Sequence, residues 1–443
     1  MKKREFLKKS AALASLAVFP SPLWSIKNPN IRLAQIGVGG MGAQDLNSMS
    51  SHSSISVVAL CDVDLSALNE AKKIHPNAKT YSDYRIMLKE MKDEIDAVQV
   101  STPDHTHAPA SIMAMNLNKH VYCQKPLTHN PSESRLMMKI AKEKKLTTQM
   151  GIQVHSFYDY KLATILIKGG IIGKIKTVRA WTHGNSGYDG PIPMGNDPIP
   201  ESLNWNLWLG TSPERPYKKG YYHPSEWRKI VDYGCGTLGD MGVHIFDTPY
   251  NALELDSPIT VKNECRKHNG FSFPEANTVT YTFPGTRYTT NKLTWVWTDG
   301  QFPLIEDDLK LPNQDELPVQ GSMFIGEKGR LLLPHFMQEP RLIVNGDYKE
   351  IDTSKYPKAL ELKSPARDYD IDTKIHYHEF VDACLGKADC SAPFSYSGRL
   401  TEVILLGVIA GRFPNKKLHW DIEKGRFKES AANKFLDSEY RIF

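Results

Sequence analysis

The 443-residue chain is short of several features that would have assigned it quickly. Its six cysteines, Cys61, Cys123, Cys235, Cys265, Cys384 and Cys390, are scattered with no C-x-x-C pair, which leaves neither a zinc signature nor a disulfide framework to read. No H-x-x-x-H or H-E-x-x-H spacing occurs among the histidines, so no metal site is assigned. Outside the extreme N-terminus there is no basic block. With 55 basic against 50 acidic residues, nucleic acid is not indicated as a partner. The apolar segment Ala11 to Phe19 is far shorter than the roughly 20 residues a bilayer crossing needs, and no membrane span is expected. There is no internal repeat and no low-complexity linker.

What is present is the composition of a globular protein, 40% hydrophobic and 24% charged, too long for one ordinary core and so divided into two domains. Residues 1–25, MKKREFLKKSAALASLAVFPSPLWS, combine a basic start, a short apolar stretch and then small and proline residues. That is the pattern of an export signal. The run Lys3-Arg4-Glu5-Phe6-Leu7-Lys8 is similar to a twin-arginine signal with lysine in place of the first arginine. Export of a folded, cofactor-loaded protein to the periplasm is the expectation.

The most informative stretch runs from Leu33 to Asp62: a short apolar run, a glycine-rich turn, and a second apolar run ending in an acid. Gly37, Gly39 and Gly42 fit G-x-G-x-x-G, with Gly40 and Met41 inside the same turn. The first glycine permits the tight turn, the second lets a pyrophosphate approach the backbone, and the third lets helix and strand pack closely. The following helix directs its free N–H groups and positive dipole end at the phosphates. Asp62 lies 20 residues past Gly42 (62 − 42). A carboxylate there accepts from the ribose hydroxyls and repels a 2′-phosphate, so NAD is expected over NADP.

Residues 31–150 alternate apolar runs with helical patterns, the mark of βαβ units and a parallel sheet. Helices are expected at Ser66–Ile74, Asp83–Met91, Ala108–Asn116 and Pro131–Lys144. Strand Ala97–Ser101 ends at Thr102-Pro103-Asp104-His105-Thr106-His107, and strand His120–Gln124 ends at Lys125. Loops at these carboxyl ends face a cofactor in open parallel sheets. Residues 151–415 have a different texture. A helix, Tyr158–Lys168, is followed by a Pro/Gly/Trp-rich stretch from Asn185 to Tyr233 and then by β-type segments without intervening helices. That pattern argues for a large antiparallel or mixed sheet with one covered face. Helical patterns return at Tyr377–Leu385 and Ser397–Arg412. The polar residues 416–443 are expected to pack on the surface. The fold class is therefore α/β, an N-terminal Rossmann domain followed by a C-terminal α/β domain.

Four pieces together resemble the glucose-fructose oxidoreductase / inositol dehydrogenase (Gfo/Idh/MocA) family. They are the glycine fingerprint, Ser101 to His107, Gln124-Lys125-Pro126-Leu127, and Gly239-Asp240-Met241-Gly242-Val243-His244 with Ile245-Phe246-Asp247. The family usually has Glu-Lys-Pro where this chain has Gln124-Lys125-Pro126. Gly151 to Ser156 and Trp208-Leu209-Gly210 are similar to segments of exported members, among them NAD-dependent α-N-acetylgalactosaminidases and 3-keto-sugar-forming dehydrogenases. The resemblance implies a large, mostly antiparallel open sheet whose free face mediates assembly into a homo-oligomer, a dimer or tetramer. It also implies a catalytic set of Lys125, Asp240 and His244.

The residues themselves allow that chemistry. Positions four apart on a helix share a face, so Asp240 and His244 can meet one hydroxyl. Histidine suits the proton-accepting role near neutral pH, and Lys125 can supply positive charge beside the oxygen. Gln153 and His155 follow a sheet-end strand and either approach nicotinamide and substrate or make structural hydrogen bonds. His105 and His107 either face the cofactor with Thr102 and Pro103 or belong to a helix start. Tyr158, His183, Trp208 and Tyr222 are candidates for sugar contact, with plain packing as the alternative. The expected activity is oxidation of a hydroxyl of a sugar or glycoside by hydride transfer to tightly bound NAD. Two alternatives stand beside it: a redox-neutral NAD-dependent glycoside hydrolase running oxidation, elimination, hydration and reduction, and a non-catalytic NAD- and sugar-binding protein.

Overall fold

The computed structural model describes residues 30–443; residues 1–25, for which an export signal is the expectation, lie outside the described residues. Six short strands, β1 (Ile31–Ile36), β2 (Ile55–Cys61), β3 (Lys79–Tyr81), β4 (Ala97–Val100), β5 (His120–Gln124) and β6 (Thr148–Gly151), form one sheet in the order β3-β2-β1-β4-β5-β6. Every pairing in it is parallel. Its central strands are apolar because helices cover both faces: Leu33, Ala34, Val98, Val100 and Val121 are all fully buried,. The order reverses between β1 and β4, and that switch point opens a crevice at the strands' carboxyl ends. The expected Rossmann sheet is therefore present.

The second sheet has ten strands: β7 (Ile175–Thr182), β8 (Thr260–Glu264), β9 (Asn277–Pro284), β10 (Thr289–Asp299), β11 (Gln320–Gly326), β12 (Arg330–Pro334), β13 (Arg341–Val344), β14 (Asp347–Lys349), β15 (Lys417–Asp421) and β16 (Arg426–Phe427). They run in the order β14-β13-β12-β11-β7-β10-β9-β8-β15-β16. Only β7 and β10 pair in parallel; the other neighbours are antiparallel. Strand β9 alternates buried and half-buried residues as far as Phe283,, whereas β11 and β12 are covered on both faces, with Leu309 and Leu311 packed on Trp181, Met323, Leu332 and Ile343. Phe246, from the helix Val243–Ala252, stacks on Trp295 at 4.3 Å between ring centres and fixes that helix against the sheet. The helix Phe394–Ala410 joins the two halves: Thr401 accepts from the Leu127 amide at 3.2 Å, and Arg135 pairs with the buried Glu402.

Several boundaries differ from the sequence reading; the helix expected at Ser397–Arg412, for one, runs Phe394–Ala410. The helix after β4 runs Asp104–Asn116, four residues earlier than expected, with Pro109 inside it. Pro109 thus lies in the helix interior, where it forgoes one backbone hydrogen bond,. The helix Tyr369–Cys384 likewise starts earlier than Tyr377, behind the Asp368 cap. Residues 416–443 do more than lie on the surface: β15 and β16 extend the sheet, and Trp420, Phe427 and Tyr440 are buried. Among the described residues no helix is long and apolar enough to cross a membrane.

Candidate active site

The glycine turn leaves β1 at Gly37, whose amide bonds the Cys61 carbonyl at 2.8 Å. Gly37 has φ +84°, and a Cβ there would lie 2.4 Å from the Ser101 oxygen; one at Gly42 would lie 2.3 Å from the Gly37 oxygen. No other residue fits either position. Gly40, with φ +52°, faces open space, and the helix Met41–Ser50 behind it has no side-chain cap. The helix's positive end is thus presented to the crevice. The crevice is a cavity of about 430 Å³ that Thr102, Pro103, Gln124 and Lys125 also line. Asp62 closes one end. Its two oxygens accept from the amides of Val38 (2.8 Å) and Asp64 (2.9 Å), which aim the carboxylate. A glycine-lined cradle, an uncapped helix start and an aimed carboxylate at this spacing fit a dinucleotide.

The Trp-rich stretch forms the opposite wall. Trp208, Trp227 and Arg228 line the same cavity, and His223 pairs with Asp64 at 2.9 Å. Sequence reasoning offered Trp208 as a sugar contact; the structure places it on the nucleotide crevice. Its ring packs on Trp205 at 4.7 Å and on Tyr233 at 4.8 Å. Tyr222, only 4% exposed, belongs to this aromatic cluster and not to a substrate surface.

At the far end of the crevice the Lys125 ammonium donates to the Asp240 carboxylate at 2.6 Å and to its carbonyl at 3.0 Å. Arg228 approaches the same carboxylate at 3.3 Å and Ser186 donates to it at 2.9 Å. Burial alone would raise the Asp240 pKa, but Lys125 and Arg228 together hold it well below the usual carboxylate range,. Asp240 lies in a π-helical turn, Leu238–Gly242, that runs into the helix Val243–Ala252 carrying His244. Such turns change which side chains share a face. Here the Asp240 carboxylate is turned to Lys125, Arg228 and Ser186, and no hydrogen bond joins it to His244.

Burial first, and then Lys125, lowers the His244 pKa well below its ordinary value, leaving the ring neutral. Its Nδ1 is buried and has no hydrogen-bond partner among the described residues. Beside it stands His335, with ring centres 6.1 Å apart. Close by in sequence, Asp247 accepts from His155 Nδ1 at 2.9 Å and from the Tyr396 hydroxyl at 2.7 Å. Burial opposes protonation of His155, yet the Asp247 carboxylate outweighs it and raises the histidine's pKa.

Other candidates lie elsewhere. His105 and His107 are buried in the first turn of the helix Asp104–Asn116. His105 faces the carbonyls of Trp208 and Tyr233, and His107 spans those of Pro126 (2.7 Å) and Thr102 (2.8 Å). They brace loops that line the crevice rather than line it themselves. Gln153 donates to the Tyr377 hydroxyl at 2.9 Å and is not among the residues lining the crevice. His183 is exposed and stacks on Phe302 at 4.7 Å, while Tyr158 packs near Arg367. Sequence reasoning missed Arg228, Ser186, His335 and Asp45; none sits in a recognisable motif. Asp45 is fully buried and accepts from Gln124 (2.9 Å), Ser101 (2.6 Å) and Tyr377. It thereby explains the glutamine of Gln124-Lys125-Pro126: an amide can donate to Asp45, where a glutamate would oppose it.

A parallel sheet with a dinucleotide cradle thus ends in a lysine–aspartate pair beside a neutral histidine. Residues 31–152 match the model of an oxidoreductase family with an NAD-binding Rossmann fold, and residues 162–287 match the model of that family's C-terminal alpha/beta domain. The chain belongs to the Gfo/Idh/MocA oxidoreductase family. It is 37% identical over 135 residues to a glycosyl hydrolase family 109 protein of Stenotrophomonas maltophilia, covering 28% of this chain and 29% of that protein. It is 30% identical over 191 residues to a levoglucosan dehydrogenase of Pseudarthrobacter phenanthrenivorans, covering 43% of this chain and 40% of that protein. The chain thus spans less than half the length of these curated relatives. Among solved structures, an oxidoreductase domain protein from Kribbella flavida superposes with TM-score 0.62 at 20% identity, over 88% of this chain and 99% of that one. A levoglucosan dehydrogenase in complex with NADH superposes with TM-score 0.61 at 17% identity, over 88% and 98%. At such identities the likeness is one of fold.

Proposed function

We propose that the protein oxidises a hydroxyl of a sugar or glycoside, using NAD held tightly in the glycine-lined crevice. The carrying observation is the Lys125–Asp240 pair at the end of that crevice with neutral His244 alongside. Bound NAD would accept the hydride from the hydroxyl-bearing carbon. His244 takes the hydroxyl proton, Lys125 donates to the oxygen as it becomes a carbonyl, and Asp240 with Ser186 fixes the lysine,. The aimed carboxylate of Asp62 supports NAD over NADP,.

A redox-neutral glycosidase is the second reading, favoured by the similarity to the glycosyl hydrolase family 109 protein. After oxidation, loss of the C–H proton beside the new carbonyl lets the glycosidic group leave; water then adds and the hydride returns. His155, supported by Asp247, is the candidate for the extra base. The export pattern of residues 1–25 supports a periplasmic location, where free NAD is scarce and a resident cofactor is an advantage. The half-buried outer face of strand β9 supports a homo-oligomer.

The experiment denatures purified protein, assays released NAD(H), and incubates intact protein with aryl glycosides and free sugars. Stoichiometric NAD with aglycone release and no net NADH would mean the glycosidase. Sugar-dependent NADH without aglycone would mean the dehydrogenase. Bound-nicotinamide absorbance that responds to none of them would reject both.

A further inference from the structure

We propose that His335, held by Tyr160, is a second imidazole on the reacting substrate oxygen, where it acts as an N–H donor opposite His244. The proposal rests on the hydroxyl-oxidising reading above. His335 follows β12 in the C-terminal half of the large sheet, far in sequence from either catalytic motif. The fold nevertheless sets its ring 6.1 Å from that of His244, tilted by 34°. One oxygen lying about 3 Å from a nitrogen of each ring spans such a gap. Both rings also feel the Lys125 charge.

The tautomer follows from Tyr160. This residue is 3% exposed, and its hydroxyl is hydrogen-bonded to His335 Nδ1. No other partner of that hydroxyl occurs among the described residues, and burial holds the phenol protonated. A buried hydroxyl hydrogen left without an acceptor is costly, so Tyr160 donates and Nδ1 accepts. The single proton of the neutral ring then sits on Nε2. Burial and Lys125 push the His335 pKa down to about 3, so the ring stays neutral at physiological pH. A neutral imidazole donor polarises a carbonyl without adding a charge to the site, the role known for the histidine of triosephosphate isomerase.

The division of labour balances. The O–H proton would pass to His244, the C–H hydride would go with its bonding pair to a bound nicotinamide, and the pair freed from the O–H bond becomes the second bond of the new carbonyl. His335 Nε2–H and the Lys125 ammonium then hold that oxygen. If the adjacent C–H proton is removed next, the same two donors stabilise the enolate oxygen. Tyr160 touches no reacting atom and is a positioning residue.

The test measures the single-turnover rise of bound-nicotinamide absorbance, using whichever p-nitrophenyl glycoside or free sugar gives wild-type protein its largest signal. His335→Leu is expected to slow that rise about 100-fold or more, with NAD content unchanged and the substrate concentration at half-maximal rate little altered. His335→Gln, which keeps an N–H donor, is expected to recover at least tenfold of the loss. Tyr160→Phe should fall between wild type and His335→Leu. A wild-type rate in His335→Leu, or a glutamine variant as slow as leucine, would overturn the proposal while leaving hydroxyl oxidation intact. Should His335→Leu lose its NAD, Tyr160→Phe decides: a loss of tenfold or more supports the role and an unchanged rate overturns it. A wild-type protein inert to every sugar would overturn the oxidation reading and this role with it.

Discussion

Replacing Gln124 by glutamate tests whether Asp45 dictates the residue before the lysine. In the native protein the Gln124 amide donates to both oxygens of Asp45, at 3.0 and 2.9 Å, and its carbonyl accepts from the Lys125 amide at 3.1 Å. Burial already raises the Asp45 pKa, with Ser101, Tyr377 and Gln124 offsetting part of the rise. A second carboxylate at that distance cannot remain ionised beside the first, and one of the two must hold a proton. Starting from an ordinary glutamate value near 4.3, holding that proton at pH 8 costs at most about 5 kcal/mol, at about 1.4 kcal/mol per pH unit. A new O–H···O bond returns part of this, so Gln124→Glu should cost about 2–4 kcal/mol at pH 8.

The sign is fixed by proton counting. Between about pH 4 and 8 the folded variant binds one more proton than its unfolded chain, so its stability falls as pH rises. Denaturant melts of wild type, Gln124→Glu and Asp45→Asn/Gln124→Glu at pH 5, 6, 7 and 8 would measure the slope. The single variant should nearly match wild type at pH 5 and diverge upward, and the double variant should lose the slope. A pH-independent deficit, or none at pH 8, would refute the reasoning.

Gly37→Ala should cost more than about 2 kcal/mol, because it combines a positive φ with a Cβ 2.4 Å from the Ser101 oxygen,; the purified variant should carry little or no NAD. Asp62→Asn removes the ribose-side charge while an amide oxygen still accepts one backbone N–H, so NADP binding should strengthen relative to NAD by about tenfold, read by fluorescence titration of cofactor-stripped protein,. His155→Gln should destabilise the protein most below about pH 6.5, where the Asp247-raised imidazole is protonated in both states,. The deficit should shrink as pH rises through the raised folded value, and a deficit that grows with pH would contradict the pairing.

Much of the architecture was readable because its signals are local. The turn from Gly37 to Gly42 and the placement of Asp62 each depend on a few consecutive residues, and strand and helix periods repeat over a dozen. The segments that carry Lys125, Asp240 and His244 were likewise visible, since each is short and contiguous. Helix starts were less legible: a helix is expected from Ala108, yet the chain closes the first turn at Asp104, with Pro109 inside and one backbone hydrogen bond forgone,.

Side-chain partners were not legible, because packing chooses them from distant parts of the chain. The sequence by itself determined a nucleotide-binding parallel sheet, a second sheet domain and the residue types that could move a proton and steady an oxyanion. Only the tertiary structure decided that His105 and His107 brace loops, that Trp208 walls the nucleotide crevice, and that the π-helical turn directs Asp240 toward Lys125 and Arg228. It alone set Asp45 under Gln124 and His335 opposite His244. The physical reason is that turn chemistry and periodicity act over neighbouring residues. Desolvation and hydrogen-bond satisfaction have no value until the fold has closed around a group.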